Sequence, residues 1–333
     1  MKKRVELLLV EPMYSTLHYH GNATAVIGEN PSIRNWYLNH SVSLICGRKF
    51  LSGYTSPEVN IENAAWVDNP YLEKYTYSMR FAKGYINLII RELIDNGYYV
   101  CFDKVDDYYV EGKTWYHERH FMHDGLICGY DQDKKTYCIY AYDKKWLYRK
   151  FYTSQKAFND GRISMFNRGL YGKICGIKPS MEQVAFEPGV VLNKLKEYID
   201  STFEIYPITE NGPVHGIVVH DYVAMYLDKL MDGSIPYERM DRRVFRLIWD
   251  QKKVMLERII KMEETLNLDS KSSAEYKNVL ADADYIRMLY ASHHMKRKDS
   301  VLPVIRNKLI NLKDREKTIL TNLIEKAEKV VKE

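Results

Sequence analysis

His123 and Asp143 are the residues of this chain whose types and spacing most readily suggest chemistry. They sit in two β-rich runs, His120-Phe-Met-His123-Asp124-Gly-Leu-Ile-Cys-Gly-Tyr-Asp131 and Thr136-Tyr-Cys-Ile-Tyr-Ala-Tyr-Asp143, flanking the polar Asp131-Gln-Asp-Lys-Lys135. That pattern reads as an antiparallel hairpin with a short loop. If Tyr130 pairs with Thr136, the ladder sets His123 opposite Asp143, and directly paired residues project from the same face. A histidine held by a cross-strand carboxylate is the base and orienter of a catalytic triad. The expectation is that the two are hydrogen-bonded neighbours. A half-buried hairpin whose His and Asp merely satisfy each other is the plainer alternative.

A third member, the nucleophile, is harder to place. A thiolate is favoured at a helix N-terminus, where free N–H groups and the helix dipole stabilise negative charge. Asn30-Pro31 opens such a helix, but its first turn carries Ser32, Ile33, Arg34 and Asn35. Ser32 is a capping residue before it is an exchanged nucleophile. Cys46, before the helix-ending Gly47, has the dipole against it and Arg48 and Lys49 in its favour. Cys101 lies near Asp103 and Asp106, Cys128 and Cys138 face away from His123 by strand parity, and Cys175 reads as core. Cys46 is therefore the nucleophile candidate. His18 and His20 lack further ligands in register, so no zinc site is expected. His40 reads as a core histidine.

The remaining composition narrows the classes. The chain has 333 residues, 46% of them hydrophobic, which suffices for a full core and suggests two domains. Five cysteines at irregular spacing give neither a disulfide framework nor a metal motif, which points to a reducing, cytoplasmic setting. No apolar run reaches membrane-spanning length, and Glu6 and Glu11-Pro12 interrupt the only stretch resembling a signal peptide. A net charge of +5 suits an acidic protein partner and falls short of a nucleic-acid footprint. There is no P-loop and no dinucleotide fingerprint, so no bound cofactor is expected.

The elements that must position these residues divide the chain. Residues 1–212 read as α+β: a strand at Val5 to Val10, a helix from Pro31 to Gly47, and a helix over Gly84 to Asn96. Strands follow at Tyr98 to Val105 and Tyr108 to Val110, then the hairpin, a strand over Trp146 to Tyr152 and a helix from Val190 to Phe203. After Asn211-Gly-Pro213 four amphipathic segments, ending with Leu302 to Val331, read as a helical bundle over 213–333. The basic Arg242, Arg243, Lys252 and Lys253 could form a docking face for an acidic partner.

Several of these runs resemble one family. They are Asn35-Trp36 to Leu44, Val105-Asp-Asp-Tyr-Tyr109, His120-Phe-Met-His123-Asp124 with Gly129-Tyr130-Asp131, and Val214-His-Gly-Ile217 with Asp241-Arg242 and Lys252-Lys-Val-Met255. They look like stand-alone proteins of nonribosomal-peptide clusters, similar to the N-terminal acyltransferase domain of the butirosin biosynthesis protein H. That group includes the amide-forming enzyme of closthioamide biosynthesis. The resemblance is specific around 98–143 and looser elsewhere. It implies a papain-like domain, related to bacteriocin-processing cysteine peptidases, with His123 as base and Asp143 as acid. The family's cysteine at the head of its first helix has no match. The implied reaction passes an acyl or peptidyl group from the phosphopantetheine thioester of a carrier protein to a small amine. Alternatives are a non-catalytic scaffold for a carrier protein, or a thioesterase or peptidase.

Overall fold

The structure, a computed structural model, describes residues 2–53, 55–202, 212–297 and 299–331. The described strands are β1 (Arg4–Glu6), β2 (Leu44–Cys46), β3 (Val59–Ile61), β4 (Leu72–Ser78), β5 (Tyr99–Asp106), β6 (Met122–Asp131), β7 (Thr136–Tyr142), β8 (Tyr148–Ser154), β9 (Lys173–Pro179) and β10 (Val214–His215). The helices are α1 (His18–Ala25), α2 (Arg34–His40), α3 (Ile86–Asp95), α4 (Gln155–Asn167), α5 (Pro188–Asp200), α6 (Val219–Met231), α7 (Val244–Thr265), α8 (Lys271–Lys296) and α9 (Leu302–Val331). Contacts group them into two compact units, Met1–Arg34 with Ala65–Gln183, and Asn35–Ala64 with Val184–Glu333.

The first unit is α+β, and its antiparallel sheet runs β4-β9-β5-β6-β7-β8, with β1 also paired to β6. Period-two alternation sends Val100, Phe102, Ile127, Ile139 and Ala141 to one face. There Ile86 and Ile90 of α3 and Phe158 of α4 join them in a core. Tyr142 belongs to the opposite face and meets α1, its ring 5.3 Å from that of His18. Helix α1 approaches closely because Gly21 has no side chain: a Cβ there would lie 2.6 Å from the Tyr148 hydroxyl. Its sequence, His-Tyr-His-Gly-Asn-Ala-Thr-Ala, has no apolar stripe, and seven of its eight residues are buried. Periodicity cannot reveal a helix buried on nearly every side.

The expected hairpin forms, one residue out of the expected register near its turn and in that register beyond a bulge. Tyr130 pairs with Tyr137 and Asp131 with Thr136, and a bulge between Ile127 and Gly129 then shifts the ladder to Ile127 with Ile139. Gly129 admits β1 at this point, since a Cβ would sit 2.5 Å from the Val5 carbonyl oxygen. β1 is shorter than the Val5–Val10 strand read from sequence, and the chain does not continue the Tyr108–Val110 strand but makes a 3₁₀ turn at Asp107–Tyr109. β4, β9 and α4 were not anticipated. β4 is a sheet-edge strand with both faces largely open to solvent, so its sequence carries little alternation.

The second unit packs a small sheet, β10-β2-β3, with the helices α2 and α5–α9. The helix expected over 31–47 stops at His40 because Arg258, buried on α7, takes its last carbonyls. Its Nε donates to Leu38 O at 2.6 Å and its Nη2 to Ser41 O at 2.8 Å. Leu44–Cys46 is therefore strand, not helix end. The same bonds tie 35–42 to α7, so contact grouping does not follow the expected division at 212. Phe203 and Asn211, which ended the α5 reading and marked that division, lie outside the described residues.

Lys252 is not on a docking face. Its side chain is 0% exposed, and Nζ lies 2.6 Å from Glu316 Oε2 and 2.9 Å from the Tyr198 hydroxyl. Tyr198 and Tyr276 donate to the same carboxylate. A lysine on an apolar helix stripe reads as exposed by residue type alone, and its partner comes from α9, remote in sequence. Removing one member of such a pair leaves the other charge buried, so Lys252→Met or Glu316→Gln alone should cost about 3–5 kcal/mol. The double substitution should cost less than the sum, as measured by denaturant unfolding. Additive losses would show that the two do not act as a pair.

Candidate functional site

The sheet end where β5, β6 and β7 meet α1 gathers two histidine–carboxylate pairs. The first belongs to His123, but its carboxylate is not Asp143. His123 Nδ1 lies 3.0 Å from Asp107 Oδ2. Asp107 stands on the 3₁₀ turn just after β5, where β5 pairs Val105 with His123 and the Asp107 N–H donates to Phe121 O. A bulge in β5 between Phe102 and Val105 precedes this turn. β6 pairs with β5 and β1 as well as with β7, and sequence adjacency reveals only the hairpin partner β7.

Asp143 is occupied elsewhere. Its Oδ1 accepts the backbone N–H groups of Lys145 at 2.8 Å and Leu147 at 3.0 Å, and Arg149 donates to its Oδ2 at 2.5 Å. Burial opposes its ionisation, but these donors outweigh burial and lower its pKa. An aspartate ending a strand before a tight turn spends its carboxylate on that turn. The expected pairing with His123 is thus corrected.

Lys113 shares the Asp107 pocket. Nζ lies 3.8 Å from Asp107 Oδ1 and 3.4 Å from His123 Nδ1. The two contacts to Nδ1 ask for opposite tautomers, since Asp107 needs a proton there and Lys113 a lone pair. The carboxylate contact is shorter, and a lone pair facing a carboxylate at 3.0 Å would be repulsive. Nδ1 therefore carries the proton and Nε2 the lone pair. Burial lowers the Lys113 pKa, against the opposing pull of Asp107 and Asp124.

The second pair is His18 with Asp124, which the sequence did not single out as partners. His18 Nδ1 lies 2.6 Å from Asp124 Oδ1, and Nε2 accepts the Tyr142 N–H at 3.2 Å. A nitrogen that accepts carries no proton, so His18 holds its proton on Nδ1 and donates it to Asp124. Burial lowers the His18 pKa more than Asp124 raises it. Burial also resists ionisation of Asp124, but His18, His123 and Lys113 outweigh it and bring the carboxyl to about 2. The His18 and His123 rings are 4.6 Å apart, and Phe121 stands edge-on to His123 at 5.3 Å.

Ligand atoms of His18, His123 and Asp124 lie within 4.8 Å of one another, so the expectation that His18 has no companions in register is also corrected. The companions come from β6, far along the chain. A metal ion on His18 Nδ1 would move its proton to Nε2, setting two donors against each other at Tyr142 N–H. The set fits a proton-holding arrangement better than a cation ligand set.

Cys46 does not fit the thiolate role. It is buried in β2, its pKa is pushed up to about 12 by burial, and its thiol donates to the Gly47 carbonyl at 3.5 Å. Among the described residues, His123 has no hydrogen bond to any thiol or hydroxyl. No family model and no curated protein matches the chain.

His18 sets a pH dependence. Its folded-state pKa is depressed, so the unfolded chain binds the extra proton first and stability falls as pH drops below about 6.5. Thermal midpoints of the wild type should fall between pH 7.5 and 5.5, and His18→Gln should flatten that slope. An unchanged slope would show that His18 takes up its proton without cost in the folded state.

Proposed function

We propose that this chain is an acyltransferase of thiotemplated biosynthesis, forming an amide by direct attack of an amine on a carrier-bound thioester. The observation that carries the reading is the Asp107–His123 dyad, a carboxylate-oriented imidazole whose Nε2 has no hydrogen-bond partner among the described residues. The resemblance of residues 98–143 supplies the substrate class. It also supplies the papain-like frame, in which the nucleophile heads the first helix and faces the histidine. Here the head of α1 is His18, both of whose nitrogens are engaged. A thiol relay is therefore replaced by general-base catalysis alone.

The steps balance without ATP. The amine nitrogen forms a bond to the thioester carbonyl carbon while His123 Nε2 takes its proton. The C–S bond breaks, and the phosphopantetheine thiolate leaves and recovers that proton from His123. Asp107 holds the tautomer and stabilises the imidazolium between the two events. Phe121 stands edge-on to His123 while Tyr142 and Tyr148 pack on His18, an aromatic setting that favours transfer over hydrolysis. The absence of a thiol or hydroxyl on His123 favours a second reading, a non-catalytic scaffold that binds a carrier protein.

Incubation with an acylated carrier protein and an amine separates these. His123→Ala should lower amide formation at least ~10²-fold, the usual scale for a general base. Asp107→Asn should lower it comparably, whereas Cys46→Ala should leave it unchanged and no acyl-enzyme should appear by intact mass. An acyl adduct on any cysteine would contradict direct attack. Carrier binding with no amide product would support the scaffold.

A further inference from the structure

We propose that Asp124 is the recognition site for the acceptor amine in its ammonium form, presenting it to His123. The proposal rests on the aminolysis reading above and names the group that selects its second substrate. Asp124 Oδ1 is taken by His18, but Oδ2 has no hydrogen-bond partner among the described residues, and the side chain is 37% exposed. The carboxylate is thus fixed on one side and open on the other.

Charge balance at the site favours a monocation. With both imidazoles neutral, Asp107 and Asp124 contribute two negative charges and the buried Lys113 one positive charge. One negative charge remains uncompensated in a half-buried setting, where compensation matters most. A single ammonium neutralises it, whereas a divalent ion would leave a surplus positive charge beside Lys113. His18 gives no competing positive charge, because its proton is committed to Asp124 in the neutral ring.

The spacing also suits an ammonium. Asp124 Oδ1, which keeps a second lone pair beside the one that His18 occupies, lies 4.0 Å from His123 Nε2. Two hydrogen bonds of ~2.9 Å bridge that gap at roughly a right angle, within reach of two N–H bonds on one nitrogen. One N–H would point to the carboxylate and another to Nε2. His123 then removes one proton to solvent, which frees the nitrogen lone pair for attack. The second proton passes through His123 to the leaving thiolate, so ammonium and thioester become amide, thiol and one released proton.

The test compares propylamine with propan-1-ol, its neutral counterpart, by calorimetry and by the His123 imidazole NMR signals at pH 7. Propylammonium should bind the wild type and shift those signals, more weakly as salt rises, and propanol should do neither. Asp124→Asn should weaken ammonium binding at least ~10-fold. If that variant does not fold, the wild-type comparison of amine with alcohol and its salt dependence still decide the matter. Equal response to propanol, or unchanged ammonium binding in folded Asp124→Asn, overturns the proposal. So does stoichiometric zinc that displaces propylamine, which would make the three side chains a metal site. Ammonium binding without amide formation would remove the aminolysis reading and leave this site standing. Amide formation with the amine KM unaffected by Asp124→Asn would do the reverse.

Discussion

A charged group removed from water must find a counter-charge or a set of hydrogen bonds, and that constraint organises both units of this protein. In the sheet unit, Asp107 and Lys113 are nearly inaccessible and lie within 3.8 Å of each other. Their pairing fixes the turn after β5, and that turn brings a carboxylate to His123. In the helical unit, Lys252 and Glu316 are buried together with two tyrosine hydroxyls. Arg258 satisfies the open end of α2. The polar interior of the helical unit serves stability, whereas that of the sheet unit is left open at one edge.

That open edge distinguishes a reactive arrangement from a structural one. The buried Glu316 carboxylate is engaged by Lys252, Tyr198 and Tyr276, although the neighbouring His220 Nε2, 3.8 Å away, has no hydrogen-bond partner among the described residues. Around His123 the pattern is incomplete: among the described residues neither Nε2 nor Asp124 Oδ2 has a hydrogen-bond partner, Nε2 lying 4.0 Å from Asp124 Oδ1. His18 holds Asp124, Tyr142 holds His18, and Asp107 holds His123. Fixed groups backed by a second layer, with free valences toward solvent, are what general-base chemistry requires.

Much of this was legible in the sequence, and the failures have identifiable physical causes. The hairpin and most of the long helices follow from alternation and periodicity. Sequence adjacency reveals only the hairpin partner of a central strand, so it points His123 to Asp143, whereas Asp107 follows the strand on the other side. Asp143 at a strand end before Lys144-Lys-Trp146 already carried the signature of a turn aspartate. Asp106-Asp107, preceding Tyr108-Tyr109, was visible as a pair at the close of a strand. Helix α1 was hidden because burial on all sides erases amphipathic periodicity, and with it the pairing of His18 to Asp124. Lys252 and Arg258 show the same limit, since residue type alone reads a lysine or arginine on a helix as solvated.

The central claim is that Asp107 fixes His123 with its proton on Nδ1 and a free lone pair on Nε2. Long-range proton–nitrogen NMR correlation on the 15N-histidine-labelled protein reads that tautomer directly. The expected result is a protonated Nδ1 and an unprotonated Nε2 for His123 in the wild type, with the preference lost in Asp107→Asn. A wild-type His123 that carries its proton on Nε2, or a tautomer indifferent to Asp107, would contradict the dyad and the chemistry built on it.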